Sequence, residues 1–183
     1  MKKRLFFALP LSSGLLKKIA FLEKNIEEKT KIKFPWLPLK NLHLTIIFLG
    51  YLNFEDFLKL KEIFKSINLG KRLELKIKKI DYGPPARKRM IWLYLEKNQD
   101  LEKLKEIIEE KLNQANVSYH REEREFLPHI NLARLKKVKD LPEIKEELNW
   151  QVVFNELALY ESILKPSGAQ YEKLLKLILS SHP

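Results

Sequence analysis

The stretch NLHLTIIFLG, residues 41–50, decides how this chain is read. It is apolar except for Asn41, His43 and Thr45, and its β-branched and aromatic residues predict a strand over 42–49. Side chains two apart on a strand share a face. His43 and Thr45 therefore point one way, while Leu44 and Ile46 point the other, into a core. A second stretch, PHINLARL at residues 128–135, repeats the pattern 86 residues on, with a strand over 129–135. His129 and Asn131 share one face, and Ile130 and Leu132 the other. A lone histidine on a half-buried strand is ordinarily a packing or surface residue. Two copies among four histidines in the whole chain point instead to paired chemistry.

The remaining elements follow from local patterns. Residues 3–9 predict a buried first strand, and Ser12 or Ser13 caps a helix running to about Lys29. Residues 30–40, with two prolines, predict a loop. Asn53 caps a helix carrying Phe57, Leu60 and Phe64. Residues 72–82 alternate apolar and charged, as a strand with one wet face does. A basic loop, GPPARKR at residues 83–89, leads into the strand MIWLYLE at residues 90–96. A helix is predicted over 100–115, a short helix or loop over 141–148, and one strand over 150–162. The segment 171–180 fits either a helix or a strand by spacing alone. This mixture of helices and adjacent strand pairs is an α+β chain with antiparallel sheet, and residues 1–183 are expected to form one domain.

The 183 residues carry 35 Lys and Arg against 24 Asp and Glu, a formal net charge of +11. Such an excess favours a polyanionic partner. The absence of cysteine excludes disulfides, thiolate metal sites and a cysteine nucleophile, and it suits a reducing compartment. No apolar run reaches membrane-spanning length. The basic, apolar start resembles a secretory signal, but Pro10, Ser12, Ser13, Lys17 and Lys18 interrupt it. No glycine-rich phosphate loop or zinc-ligand spacing is present.

Two facing imidazoles suit in-line displacement at phosphorus without a metal. One neutral imidazole takes a proton from water and one imidazolium gives a proton to the leaving oxygen. Hydroxyl and amide donors stabilise the charge on the remaining oxygens. Two histidines without a carboxylate pair or thiolate make a poor metal site.

With these residues in view, the chain resembles the two-histidine phosphoesterases, and among them the RNA 2′,3′-cyclic phosphodiesterases, also called 2′-5′ RNA ligases. Their signature is a pair of H-x-T-x motifs. Residues 43–46 match the first closely. Residues 129–132 match the second, with Asn131 in place of Thr. The likeness extends from the opening strand to the closing segment 157–179, which it implies is a hairpin, and so covers essentially the whole chain.

The resemblance implies a bilobal α+β fold, with two antiparallel sheets facing each other across a basic cleft, helices outside and one histidine strand in each lobe. It implies hydrolysis of an RNA 2′,3′-cyclic phosphate end to a 2′-phosphate, and in some members the reverse joining of tRNA halves. It makes His43 the general acid and His129 the general base, with Thr45 and Asn131 as donors to the phosphate and no cofactor. A cytoplasmic monomer acting on RNA, with no membrane partner, is expected.

Arg134, Arg87 and Arg89 are candidates for the RNA phosphates, and Phe126 for stacking on a base. Arg134 reaches the histidine face only if the strand is bulged. Asn131 keeps two alternatives open. One is a relative acting on another cyclic phosphate or on a 2′-5′ oligonucleotide. The other is an RNA-binding protein without turnover.

Overall fold

The computed structural model describes residues 2–69, 71–122, 124–136, 140–166 and 168–179. The tail histidine, His182, lies outside them. Eight strands and three α-helices are present among these residues, in the order β1 (Lys3–Pro10), α1 (Ser13–Thr30), β2 (His43–Leu52), α2 (Phe54–Ser66), β3 (Leu73–Gly83), β4 (Met90–Leu95), α3 (Gln99–Gln114), β5 (His129–Arg134), β6 (Glu146–Phe154), β7 (Glu156–Lys165) and β8 (Gly168–Ile178).

Each helix begins where a side chain replaces a missing backbone partner. Ser12 Oγ accepts from Leu15 N at 3.2 Å, and Asn53 Oδ1 accepts from Asp56 N at 2.8 Å. Asn98 Oδ1 accepts from Asp100 N and Leu101 N. Helix α1 ends at Lys31, whose left-handed φ of 59° returns its N–H to Glu27 O, a C-terminal cap of the αL type.

The strands form one antiparallel sheet in the order β6-β3-β4-β5-β2-β1-β7-β8. The α+β class expected from the sequence is present, but the two expected sheets are joined into one. The join is narrow: β2 and β5 share one registered pair, Leu44 opposite Ile130. On either side lie four strands of matching build. In one half a helix, α1, links the antiparallel neighbours β1 and β2. In the other half α3 links the antiparallel neighbours β4 and β5.

The strand expected over 150–162 is two strands. It breaks at Asn155, where the chain leaves β3 for β1. Asn155 alone separates β6 from β7, yet these strands stand six places apart in the sheet. A flat sheet would hold them ~29 Å apart, and one intervening residue spans only about 7 Å. The sheet is therefore strongly curled. One hydrophobic core, containing Leu5, Phe7, Leu44, Ile77, Leu93, Leu104, Ile130 and Leu157, runs beneath both halves.

Equivalent bulges mark the two histidine strands. Phe7 pairs with Ile47 and Ala8 with Thr45, so Ile46 is the extra residue. Ile91 pairs with Ala133 and Trp92 with Asn131, so Leu132 is the extra residue. Each extra residue stands third after its histidine. A bulge adds local twist and breaks the two-residue alternation, which is why Ile46 and Ile47 are both buried, as are Leu132 and Ala133.

Glu23 is the polar residue that the α1 stripe does not explain. It is buried, its Oε1 has no hydrogen-bond partner, and burial with Glu27 nearby raises its carboxyl from 4.5 to about 7. The folded protein thus favours the protonated acid. Stability is full below 4.5 and drains away as pH rises toward 7, because the unfolded chain ionises first. The ceiling on this loss is about 3 kcal/mol. Urea denaturation should find Glu23→Gln about 1–3 kcal/mol more stable than wild type at pH 8 and level with it at pH 4.

Candidate active site

His43 and His129 are the first residues of β2 and β5. Leu44 and Ile130 point into the core and are fully buried, so the neighbouring residues take the opposite face. Continuing the register of the Leu44–Ile130 pair by one residue sets His43 against Asn131 and Thr45 against His129. The two motifs therefore interleave, and each imidazole lies across the seam from the other motif's hydrogen-bonding side chain. All four of these residues are half-buried.

The same backbone contact holds both rings. His43 Nδ1 lies 2.7 Å from Asn41 O, and His129 Nδ1 lies 2.8 Å from Leu127 O. A carbonyl oxygen only accepts, so each Nδ1 carries the hydrogen. Each neutral ring then has its lone pair on Nε2, where it can take a proton, and each protonated ring can give one from Nε2.

Burial pushes the His43 imidazole down from 6.5 to about 4, against the pull of the Asn41 carbonyl, and the positive charge of a protonated His129 lowers it further. Burial also pushes His129 down, opposed by Leu127 O. A neutral pair near pH 7 follows. An anion bound between the rings would supply the opposite charge that favours a proton on one of them.

Aromatic walls surround the pair, and sequence reasoning missed most of them. Phe6 of β1 lies 4.9 Å from His43 between centroids, Tyr171 of β8 meets it edge-on at 5.0 Å, and Tyr160 of β7 lies at 6.1 Å. On the other side Trp92 of β4 stacks on His129 at 3.7 Å and 17°. Trp92 is buried like a core residue, but it is buried against the imidazole. Position along the chain holds no trace of these contacts. Only strand order brings β1, β7 and β8 beside one histidine.

The other candidates divide. Met90 pairs with Arg134, and Trp92 Nε1–H reaches Met90 Sδ at 3.4 Å. This row puts Arg134 on the histidine face, the position that the Leu132 bulge allows. Leu135 N donates to Arg89 O at 2.8 Å, so the exposed basic turn bearing Arg87 and Arg89 lies beside the end of β5. Phe126 goes elsewhere. It packs on the core with Lys105 Nζ of α3 5.9 Å from its ring, and the ring contacts of both histidines come from other residues. Trp36 is a fastener: its Nε1–H donates to Glu27 Oε1 at 3.0 Å and its backbone bridges to Ala133.

Asn131 Oδ1 is buried without a partner, a free polar atom in the centre of the site. Among the described residues no group of three or more His, Asp or Glu side chains converges to hold a metal, and no helix is long and apolar enough to cross a membrane.

Twinned histidine strands, like tautomers and a shared sheet face define a two-histidine phosphoesterase. A family model, the AKAP7 2′5′ RNA ligase-like domain, matches residues 5–163, and the chain belongs to that family. It is 32% identical over 178 residues to the RNA 2′,3′-cyclic phosphodiesterase of Methanocaldococcus jannaschii, covering 92% of this chain and 96% of that protein. Among solved structures it resembles a Thermus thermophilus protein, TT0787, with a TM-score of 0.80 and 24% identity over 98% of this chain and 100% of the other. It also resembles E. coli LigT crystallised with 3′-AMP, with a TM-score of 0.76 and 23% identity over 98% of this chain and 99% of the other. At these identities the two structures speak for the fold.

Nitrogen-15 spectra should find both histidines as Nδ1–H tautomers at pH 7. Titration should find His43 protonating near 4 and His129 below 6.5. An Nε2–H tautomer at either position would remove the proton-transfer site.

Proposed function

We propose that this protein hydrolyses RNA 2′,3′-cyclic phosphate ends to 2′-phosphates by metal-independent acid–base catalysis. The supporting observation is the pair of imidazoles on one sheet face, each with Nδ1 tied to a carbonyl and Nε2 free. The name of the Methanocaldococcus jannaschii relative points to the same substrate.

His129 Nε2 takes a proton from water as the water oxygen attacks phosphorus. The P–O3′ bond breaks, and His43 Nε2 gives its proton to the departing O3′. The phosphate remains on O2′. The better base is the ring whose cation is less disfavoured, and the ring held at about 4 is the stronger acid once protonated. Thr45 hydroxyl and Asn131 Nδ2–H donate to the non-bridging oxygens, where charge gathers in the transition state. Arg134, Arg87 and Arg89 hold the RNA backbone. The same site run backward would join RNA ends, tRNA halves included, through a 2′-5′ linkage. Both histidines come from one chain, which supports a monomer, and the absence of cysteine suits the cytoplasm.

Asn131 supports a second reading, RNA binding without turnover, because a carboxamide is longer than the hydroxyl that the family motif has there. One assay tests the proposal. A short RNA with a 2′,3′-cyclic end is incubated in EDTA, and the product phosphates are resolved. The expected result is 2′-phosphate from wild type and a loss of about 10²–10⁴-fold in both His43→Ala and His129→Ala. Binding without product would rule out this substrate and leave the choice between a relative acting on another phosphodiester and RNA binding without turnover. Asn131→Thr should stay within a few-fold of wild type or exceed it.

The dependence on pH carries a sign. kcat/KM reports the free protein, and its maximum should fall on the acid side of 6.5, because both imidazoles are pushed down. The division of labour is tested with sulfur at the 3′ bridging position. A thiolate departs without an acid, so this substrate should restore His43→Ala and leave His129→Ala inactive.

A further inference from the structure

The two halves of the sheet match closely, and they differ at the strand position beside each motif's hydrogen-bonding residue. Opposite Thr45 stands Ala8, and opposite Asn131 stands Trp92. Where one half has a methyl group, the other has an indole stacked on its histidine at 3.7 Å and 17°.

The far side of the indole is occupied too. Gly83, at the end of β3, has no side chain, and a Cβ built there would lie 2.2 Å from Trp92 Cδ2, 2.4 Å from Cε3 and 2.7 Å from Cγ. No real Cβ contact is so short. Glycine is therefore required by the ring and not by φ. Trp92 Nε1–H to Met90 Sδ at 3.4 Å fixes the ring in its own plane. With β4 between β3 and β5, the indole packs between the Gly83 backbone and the His129 imidazole.

We propose that Trp92, backed by Gly83, is a positioning residue for His129: it fixes the imidazole plane against rotation and presents a π face to the imidazolium that forms during proton transfer. Stacking sets the plane of the ring, while the Nδ1–H bond to Leu127 O sets its rotation within that plane. Together they fix the direction of the Nε2 lone pair. An indole face attracts a cation, so the clamp favours the protonated ring at the moment a base acquires its proton. His43 has no ring so close and so parallel: Phe6 lies at 4.9 Å tilted by 34°, Tyr171 edge-on at 5.0 Å, and Tyr160 at 6.1 Å and 27°.

Other charged groups lie near the clamp, among them Arg134, which shares the histidine face opposite Met90. Asp81, opposite Trp92 on β3, is paired with Lys79 Nζ at 2.8 Å. Lys79 lies 5.0 Å over the ring of Tyr94, which stands opposite His129. His43 faces the pair from across the seam. Among the described residues the one hydrogen-bond partner of His129 is Leu127 O.

The inference rests on His129 acting as the base, and its test reads the ring without substrate. Histidine resonances are titrated in wild type, Trp92→Leu, Trp92→Phe and Gly83→Ala. Turnover of the cyclic-phosphate RNA is measured alongside. In Trp92→Leu and Gly83→Ala the His129 midpoint should move to lower pH while that of His43 stays in place. kcat should fall tenfold or more, with KM within threefold. Trp92→Phe, which keeps a π face, should recover at least a third of the wild-type kcat. If Trp92→Leu does not fold, Gly83→Ala and Trp92→Phe decide on the same readouts. An unmoved His129 midpoint, or equal movement of both histidines, would overturn the proposal, since core filling alone predicts one of these. If wild type turns over no cyclic phosphate, the reading of function fails and the titration still judges the clamp.

Discussion

The site depends on one backbone pairing, Leu44 against Ile130. It is the single registered pair between the halves of the sheet, and it lies one residue past each histidine. Because the strands run antiparallel there, each histidine comes to face the partner motif. Because Leu44 and Ile130 are buried in the shared core, both imidazoles are driven to the opposite face. A slip of one residue would turn one histidine into the core. The apolar pair sets the register and the polar residues follow.

Symmetry then gives way to a useful inequality. Both rings carry the same Nδ1–H bond to a carbonyl two residues back. Their surroundings differ: phenyl and phenol rings crowd His43, and an indole lies flat on His129. Burial lowers both, and His43 drops to about 4. Unlike surroundings are how one fold can draw an acid and a base from the same side chain, as in the division of labour proposed above.

The bulges at Ile46 and Leu132 extend this economy. Each adds one buried residue to a histidine strand and shifts the following side chain to the site face. In the first half that side chain is Phe48, which carries the Arg4 guanidinium 4.5 Å above its ring. In the second half it is Arg134. A regular strand would have sent Arg134 into the core, where an unpaired cation is costly. The same two insertions increase the twist through which a chain with one residue between β6 and β7 can close the curled sheet.

Much of this was written locally. The alternation in 41–50 and 128–135 assigns each histidine a face, because a strand repeats every two residues whatever surrounds it. Ser12 and Asn53 mark helix starts because a cap needs only its own turn. The closing hairpin, which spacing left open between helix and strand, was settled by resemblance to the family. Tertiary structure decided the rest. The break at Asn155 is silent in a run of strand-forming residues, since either half is equally good strand and only pairing with β3 or β1 separates them. Trp92 and Gly83 are nine residues apart, and nothing in their spacing says that one fills the space the other leaves. Phe126 stands three residues before a catalytic candidate, yet it packs beside α3. Local periodicity fixes which way a side chain points. Which side chains meet is fixed by the order of strands and the volume of the core, and these are properties of the whole chain.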